Sequence, residues 1–246
     1  MSERQRTLIL TGASRGIGHA TVKRFSAAGW RVITISRHAI PENCPWDMGP
    51  ENHVQLDLSD LSRIPAGIED LRRRLGEGRL DALVNNAGIS PKGPNGERLG
   101  TLDTTLATWQ AVFAVNFFAT VMLAQGLKEE LARAQGSIVN VTSIAGTRVH
   151  PFAGAAYATS KAALYALTRE MAHDLGRIGV RVNAIAPGEI DTSILSPGTA
   201  EIVEREIPLR RLGRPEEVAS TIYFLCTAPA SYVNGAEIHI NGGQHV

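Results

Sequence analysis

Short apolar runs alternate along the chain with segments of helical length. The runs are rich in β-branched residues, and they occupy residues 7–10, 31–35, 53–58, 82–86, 137–141, 181–186 and 237–240. The clearest helical segments between them are 16–28, 103–133 and 156–176. This alternation predicts parallel strands connected by crossover helices, with the strands buried on both faces. We therefore expect a single α/β domain over residues 1–246, with a doubly wound parallel sheet of about seven strands and helices on both faces.

Two connections depart from the alternation. Residues 38–52 contain Pro41, Pro45 and Pro50, each of which would interrupt a helix, so an irregular loop is expected between the second and third strands. Residues 90–102 are punctuated by glycine and proline and predict a long surface loop after the fourth strand. Ligands of open α/β sheets bind beyond the carboxyl ends of the strands, so this loop is well placed to contact one.

Composition narrows the class of protein. The 246 residues carry 25 Lys and Arg against 24 Asp and Glu, a formal charge of +1, which suggests neither a nucleic-acid nor a membrane-binding field. The N-terminus is too polar for a secretory signal, and no apolar run reaches the ~20 residues needed to cross a bilayer. Cys44 and Cys226 lack companions at disulfide or zinc-ligand spacing. We expect a soluble, cytoplasmic protein without a metal site.

A glycine-rich turn follows the first predicted strand and opens a helix. Gly12, Gly16 and Gly18 lie within TGASRGIGHA. Glycine allows a tight turn and close approach of a ligand to the backbone, and a helix N-terminus offers free N–H groups and a partial positive charge to a pyrophosphate. The spacing differs from G-x-G-x-x-G, and a turn without a ligand is the alternative. Its place in the fold pattern favours a dinucleotide site.

The end of the second predicted strand indicates which dinucleotide is preferred. A carboxylate there would bind a ribose 2′-hydroxyl and repel a 2′-phosphate, but this chain has Ser36 and Arg37. Arg15, in the glycine turn, could contact the same phosphate. We therefore expect NADP(H) to be favoured over NAD(H). The alternative is that both arginines are solvated surface residues.

Two further segments are candidates for the cofactor cleft. Asp57 could accept a hydrogen bond from an adenine amino group, or it could cap a helix over residues 59–75. The NNAG motif at 85–88 places two amides and a glycine at a strand end, where they could form the floor of a cleft or an ordinary turn.

Six motifs together resemble the short-chain dehydrogenase/reductase family. They are TGASRGIG (11–18), NNAG (85–88), AVNFFAT (114–120), VNVTS (139–143), YATSK (157–161) and PGEIDT (187–192), with NGGQ near the C-terminus. The similarity extends over essentially the whole chain. It implies a Rossmann-type domain, a nicotinamide dinucleotide, hydride transfer between a carbonyl and an alcohol, and no metal. It also implies a homotetramer (or homodimer) assembled partly through the helices at 103–133 and 156–176.

The resemblance assigns roles to individual residues. Tyr157 is the expected general acid or base, and Lys161, one helical turn away, is expected to lower the pKa of its phenol and to bind the nicotinamide ribose. Ser143 would donate to the substrate oxygen, and Asn116 would bind a water linking Lys161 to solvent. Each of these residues also has a structural alternative. Tyr157 and Lys161 could be an exposed pair on a helix, Ser143 a turn residue, and Asn116 a hydrogen-bonded amide in the core. The complete expected cofactor set is Gly12, Ser14, Arg15, Gly16, Ile17, Gly18, Ser36, Arg37, Asp57, Leu58, Asn86, Ala87, Gly88, Tyr157, Lys161, Pro187, Gly188, Ile190 and Thr192.

Residues 189–212 are expected to form a mobile lid over the substrate, with an apolar face from Ile190, Ile194 and Leu195. Arg148, Glu189 or residues of the 90–102 loop could add polar contacts. His150 is near the expected cleft, but a surface or packing role is the simpler interpretation. The predicted function is an NADP(H)-dependent carbonyl reductase or alcohol dehydrogenase. The alternatives are a 3-oxoacyl carrier-protein reductase and a dinucleotide-sensing protein without catalysis. The sequence does not select a substrate.

Overall fold

A computed structural model describes residues 4–39, 49–192 and 198–246 of the chain. Seven parallel strands form one sheet in the order β3-β2-β1-β4-β5-β6-β7. Their bounds are Thr7–Thr11 (β1), Arg31–Ser36 (β2), His53–Gln55 (β3), Ala82–Asn85 (β4), Ser137–Val141 (β5), Arg181–Pro187 (β6) and Glu237–Ile240 (β7). The predicted doubly wound sheet is confirmed. The strand order reverses between β1 and β4, which is where ligands of such sheets bind.

Helices cover both faces of the sheet. The α-helices in the described residues are Gly16–Ala27 (α1), Ile64–Leu75 (α2), Leu106–Phe113 (α3), Ala119–Gly126 (α4), Lys128–Ala134 (α5), Ala155–Gly176 (α6), Thr199–Arg205 (α7) and Pro215–Leu225 (α8). Side chains alternate between the two faces along each strand: Ile9 packs into a core shared with α2 and α4, whereas Leu8 and Leu10 pack into a second core shared with α1 and α8. The central strands β1, β4 and β5 are therefore buried on both sides, as their continuous apolar runs predict, whereas the edge strands β3 and β7 are only partly buried.

The helix predicted over 103–133 is interrupted. A π-helical turn, Ala114–Phe118, separates α3 from α4, and Leu127 separates α4 from α5. A π turn holds one residue more than an α turn, and such turns are common at functional sites. The prediction of one continuous helix over 103–133 was wrong. The spacing of apolar residues over a long segment does not reveal a single inserted residue such as the one in this π turn.

The run Leu106–Gly126 also changes the expectation about membranes. It is a 21-residue helical stretch long and apolar enough to span a bilayer by length and composition, contrary to the prediction that no such run exists. A third of its most apolar window is buried inside the molecule. It packs against α2 and α6, and Asn116 in its middle is fully hydrogen-bonded within the protein. These contacts attach one side of the helical stretch to the rest of the domain, while its other side remains exposed.

The two predicted irregular connections have different outcomes. Between β2 and β3 the described residues form one 3₁₀ turn, Pro50–Asn52, while Pro41, Cys44 and Pro45 lie outside the described residues. The 90–102 segment is a loop crossed by one antiparallel bridge between Lys92 and Arg98.

The segment after β3 corrects one alternative for Asp57. A 3₁₀ turn, Leu61–Arg63, leads into α2, and its cap is Asp60, whose carboxylate accepts from the Ser62 amide at 3.1 Å. The carboxylate of Asp57 instead accepts from the Ser59 amide and hydroxyl at 2.9 and 2.8 Å. Asp57 therefore closes a turn of its own and does not cap the helix.

Candidate active site

The glycine turn is a tight cradle at the carboxyl end of β1. Gly12 and Gly16 have φ values of +71° and +54°, which disfavour side-chain-bearing residues. A Cβ added to Gly18 would lie 2.1 Å from the Gly12 carbonyl oxygen, so the helix can approach the turn only through glycine. The Asn86 amide fixes this arrangement by donating to the Gly12 oxygen at 2.8 Å and to the Thr11 oxygen at 3.1 Å.

The N-terminus of α1 suits an anionic group. Arg15 is the N-cap residue, has extended backbone and provides no side-chain cap. The first-turn N–H groups of a helix have no carbonyl partner within the helix, so those of Gly16, Ile17 and Gly18 point toward the turn. Ser14 and Arg15 are exposed beside them. An uncapped helix start, a glycine cradle and an exposed guanidinium are the features that a pyrophosphate requires. The residues present therefore fit a dinucleotide.

The end of β2 lies next to this cradle. Thr11 pairs with Ile35, and the Gly12 amide donates to the Ile35 oxygen at 3.1 Å, so Arg15 and Arg37 follow neighbouring strands at one edge of the sheet. Both side chains are exposed. The Ser36 hydroxyl donates to the His38 oxygen at 2.7 Å.

The residues after β3 complete this side of the cradle. The pKa of Asp57 is lowered chiefly by the hydrogen bonds from Ser59, with a further contribution from the positive charge of Arg37. Leu58 is buried at the same strand end. A carboxylate and a guanidinium therefore stand close together here, one beyond β3 and the other beyond β2.

Asn86, Ala87 and Gly88 connect the cradle to the candidate catalytic residues. A Cβ at Gly12 would lie 2.9 Å from the Ala87 Cα, so the two backbones are in contact. A Cβ at Gly88 would lie 3.3 Å from the Lys161 Nζ and 3.5 Å from the Asn116 Oδ1. The NNAG strip is thus the floor that joins the two ends of the cleft.

Ser143, Tyr157 and Lys161 come together beyond β5. The Ser143 side chain interacts with the Tyr157 phenol and lowers its pKa. The Ser143 hydroxyl oxygen accepts from the Ala145 amide at 3.2 Å. The Lys161 Nζ lies 5.6 Å from the centre of the Tyr157 ring. It donates to the Val141 oxygen at 2.7 Å. Lys161 is only 3% exposed, so its ammonium is held at the edge of the sheet.

The electrostatics of the pair differ from the sequence-based expectation. Burial raises the pKa of the Tyr157 phenol, the Ser143 hydrogen bond opposes that rise, and the negative charge of Glu189 adds to it. Burial also lowers the pKa of Lys161 to about 8. The predicted lowering of the Tyr157 pKa by Lys161 is wrong for this structure, because desolvation outweighs the ammonium, which is directed at a backbone carbonyl.

Asn116 lies in the π turn between α3 and α4. Its Oδ1 accepts from the Ile89 amide at 2.9 Å, and its Nδ2 donates to the Ile89 oxygen at 3.1 Å and to the Ser160 hydroxyl at 3.0 Å. The side chain is 1% exposed. These contacts attach the loop after β4 to α6, so in this structure Asn116 is a satisfied core amide that also lies near Lys161.

The segment after β6 faces the glycine turn. A Cβ at Gly188 would lie 2.6 Å from the Asn241 Cβ, and Ile190 is buried and forms a bridge with Gly213. A Cβ at Gly16 would lie 3.1 Å from the Thr192 Cγ2, which places Thr192 against the cradle. Of the expected lid, α7 and the flanking residues are described. Ile194 and Leu195 lie outside the described residues.

One pair of residues was not predicted as a pair. The His150 Nε2 and the Glu189 Oε1 are 2.6 Å apart, and both side chains are largely buried. The two residues are 39 positions apart in the sequence, so no local spacing signals their contact. The only signal was that each followed a predicted strand at the same edge of the sheet.

Comparisons with known proteins agree with this geometry. The family model described as enoyl-(acyl carrier protein) reductase matches residues 12–245. Protein FixR of Bradyrhizobium diazoefficiens is 59% identical over 98% of this chain and 87% of its own length.

Two solved structures are also similar. The crystal structure of an oxidoreductase of the short-chain dehydrogenase/reductase family from Brucella ovis, with a partially ordered NAD, is 61% identical, has a TM-score of 0.85 and covers 97% of this chain and 100% of its own. A 3-oxoacyl-[acyl-carrier protein] reductase from Brucella melitensis with bound NAD is 32% identical, with a TM-score of 0.87 over 100% and 93% of the two chains. The chain therefore belongs to the short-chain dehydrogenase/reductase family of NAD(P)-dependent oxidoreductases.

Proposed function

We propose that the protein reduces a ketone or aldehyde with NADPH and that Tyr157 is the general acid. One observation carries the proposal: Tyr157 lies one helical turn from a buried Lys161, whose Nζ is held at the end of β5 two residues before Ser143, at the end of a cleft that begins in the glycine cradle. A raised pKa keeps this phenol protonated at neutral pH. A protonated phenol is the form needed to donate to a carbonyl oxygen that is becoming an alkoxide.

The other residues have distinct tasks in this reaction. The bound nicotinamide would supply the hydride to the carbonyl carbon. The Ser143 hydroxyl oxygen accepts from the Ala145 amide, which leaves its hydrogen for the Tyr157 oxygen or for the substrate oxygen. A pKa of about 8 lets Lys161 exchange a proton near neutral pH and so restore that of Tyr157. Asn116 holds the strip containing Gly88 against α6 through its hydrogen bonds with Ile89 and Ser160.

The preference for NADP(H) rests on Arg15 and Arg37. Both are exposed at the same edge of the sheet, and Ser36 stands where NAD(H)-specific enzymes place a carboxylate. The two Brucella relatives were solved with NAD, so NAD(H) is the competing assignment. Michaelis constants for NADPH and NADH decide between them: a KM for NADPH at least about tenfold lower is expected, and equal values would remove the proposal.

We further propose that the protein is a cytoplasmic homotetramer or homodimer that uses the face of α3 and α4 as a contact. Leu106 and Phe118 on this face are 72% and 46% exposed. Trp109, Phe113 and Phe117 form a chain of ring contacts with Phe118. Exposed apolar surface of this kind marks interaction sites. Sedimentation of the purified chain tests this proposal, and a monomer at micromolar concentration would contradict it.

The Tyr157→Phe variant tests the catalytic role. It removes only the phenol oxygen, so carbonyl reduction should fall by at least about 10³-fold while the Kd for NADPH stays within about threefold. Tyr165→Phe is the matched control, because Tyr165 is on the same helix with its ring against Arg169. Residual turnover of the Tyr157 variant above about a tenth of wild type would show that the proton takes another route. A wild-type protein that binds NADPH without oxidising it in the presence of any carbonyl would instead be a sensor.

A further inference from the structure

One carboxylate, that of Glu189, lies at the same edge of the sheet as the candidate catalytic residues and was given no contact with substrate in the reaction described above. Glu189 directly follows Pro187 and Gly188 at the end of β6, and its backbone is fixed because the Gly213 amide donates to its oxygen at 2.9 Å. Its negative charge acts on the Tyr157 phenol and on the Lys92 ammonium. Glu189 follows β6 and Ser143 follows β5, and these two strands are paired side by side, so the carboxylate lies at the sheet edge that carries the candidate catalytic residues.

His150 holds this carboxylate in one orientation. The His150 Nδ1 accepts from the Phe152 amide at 3.2 Å, so the ring hydrogen lies on Nε2, which donates to the Glu189 Oε1 at 2.6 Å. The Phe152 ring packs edge-on against the imidazole with centroids 5.8 Å apart. Both nitrogens of His150 are thus occupied, and the imidazole has no capacity left for a ligand. His150 is a positioning residue.

The second carboxylate oxygen is different. Within the described residues, the Glu189 Oε2 accepts no hydrogen bond, whereas Oε1 is held by His150. A carboxylate oxygen is an acceptor only, so it can recognise a hydrogen-bond donor and not a carbonyl. Tyr157 is the proposed acid that protonates the substrate oxygen. A fixed acceptor such as the Glu189 Oε2 could then hydrogen-bond a donor group on the carbon next to the reacting carbonyl.

We propose that Glu189 determines substrate specificity by accepting a hydrogen bond from a hydroxyl group on the carbon adjacent to the reacting carbonyl, so that the substrate class is α-hydroxy ketones and aldehydes. The inference rests on the proposed function. The position of Lys92 favours a hydroxyl over an ammonium as the donor on the substrate. The Lys92 ammonium donates to the Phe152 oxygen and is affected by the charge of Glu189, so a cation is already close to this carboxylate. A second cation would be repelled, while a neutral hydroxyl would not.

The same argument weakens the 3-oxoacyl alternative. The group next to the ketone in a 3-oxoacyl thioester leads to a second carbonyl, which has no hydrogen to donate. A carboxylate facing that carbonyl would leave two acceptors opposed, and an unpaired buried polar group is unfavourable. Glu189 therefore favours a hydroxylated substrate over a thioester.

Matched ketones test the inference with the full chain and NADPH. The probes are acetone, hydroxyacetone and aminoacetone, with acetophenone and 2-hydroxyacetophenone as a larger pair. We expect kcat/KM for each hydroxy ketone to exceed that of its parent by about 10- to 100-fold, because a hydrogen bond to a charged group is worth that factor. Aminoacetone should rank below hydroxyacetone, and the opposite ranking would overturn the hydroxyl assignment.

Variants show whether Glu189 is the cause. Glu189→Ala should reduce the hydroxy-to-parent ratio by at least about tenfold. Glu189→Gln, which can still pair with His150, guards against misfolding and should reduce the ratio by a smaller factor. Glu201→Gln is the matched control, since Glu201 pairs with Arg205 on the exposed surface of α7. A ratio that Glu189→Ala leaves unchanged would overturn the inference.

His150 has its own test as a positioning residue. His150→Phe removes the donor to Glu189 and should lower the ratio, mainly through KM for the hydroxy ketone. His150→Gln keeps a donor and should restore at least half of the ratio. An equal loss in both variants would mean that His150 acts only on folding.

The two possible failures are distinguishable. Wild-type enzyme that reduces parent and hydroxy ketones with equal kcat/KM overturns the specificity role and leaves the reductase function in place. Enzyme that binds NADPH but reduces none of the five probes overturns both.

Discussion

Replacement of Lys161 by methionine should change the stability of the protein in a pH-dependent way. The free energy of unfolding of Lys161→Met minus that of wild type should be larger at neutral pH than at high pH. Lys161 is 3% exposed, and burial lowers the pKa of its ammonium from an ordinary 10.5 to about 8. Methionine keeps most of the length of the side chain and removes the charge. The comparison therefore isolates the cost of burying an ammonium at this site.

The magnitude follows from the lowered pKa. Each tenfold change in a proton equilibrium is about 1.4 kcal/mol, so the fall to about 8 corresponds to about 3 kcal/mol against the charged form in the folded state. Below pH 8 the lysine is protonated in both the folded and the unfolded chain, and the full penalty applies. As the pH rises from about 8 to about 10.5, the folded protein releases its proton before the unfolded chain does. Over this window the stability of wild type rises relative to that of Lys161→Met.

The assay is urea unfolding of the cofactor-free protein at pH 7, 8, 9 and 10. The protomer concentration is fixed, because an oligomer's stability depends on it. The free energy of unfolding of wild type minus that of Lys161→Met should rise by about 2–3 kcal/mol between pH 7 and pH 10. Lys128→Met is the control, since Lys128 is exposed at the start of α5. The free energy of unfolding of wild type minus that of Lys128→Met should not change between pH 7 and pH 10. A Lys161 difference that changes by less than about 0.5 kcal/mol would refute the reasoning.

Three further outcomes are expected. Gly18→Ala should raise the Kd for NADPH by at least about tenfold in calorimetric titration, because its Cβ would lie 2.1 Å from a carbonyl of the turn. Gly29→Ala has nothing within 4 Å but a φ of +78°, so it should lower the stability of the protein and leave that Kd unchanged. Arg37→Asp should raise the KM for NADPH by at least about tenfold and leave that for NADH unchanged or lower, and a parallel rise in both would point to misfolding. Glu189→Gln should move the alkaline limb of carbonyl reduction to lower pH, since the carboxylate contributes to the raised pKa of Tyr157 and the protonated phenol is the acid, and an unmoved limb would mean that this charge does not reach the phenol.

The sheet was predictable because its central strands are buried on both faces and therefore appear as continuous apolar runs. The predicted runs at 137–141 and 237–240 coincide with β5 and β7. The run at 53–58 was too long, since β3 ends at Gln55 and the Asp57 turn begins where the apolar pattern still continues. The apolar pattern correctly indicated that Leu56 and Leu58 are buried. It could not show where the backbone hydrogen bonds between β3 and β2 end.

The proximity of three candidate catalytic residues was predictable, whereas their electrostatics were not. Ser143 lies just beyond β5, and Tyr157 and Lys161 lie in the first turns of α6, where Lys161 donates to the last residue of β5. Whether a phenol is acidified depends on the balance between burial and a nearby charge, and burial is a property of the packed chain. The contact between His150 and Glu189 is likewise tertiary, so it could be found only once β5 and β6 were side by side.

The π turn at Ala114–Phe118 determines in which direction the side chains of α4, the helix that follows it, point around the helix axis. Its extra residue turns α4 by about 100° relative to the direction that α3 would otherwise impose. That offset lets Asn116 meet Ile89 while Leu123 and Ala124, further along, still enter the core. Deleting one residue between 114 and 118 would therefore misdirect a whole helix face, whereas a deletion at the glycine-rich tip of the 90–102 loop would be absorbed locally. Length variation among related chains should accordingly concentrate in that loop and avoid the helix.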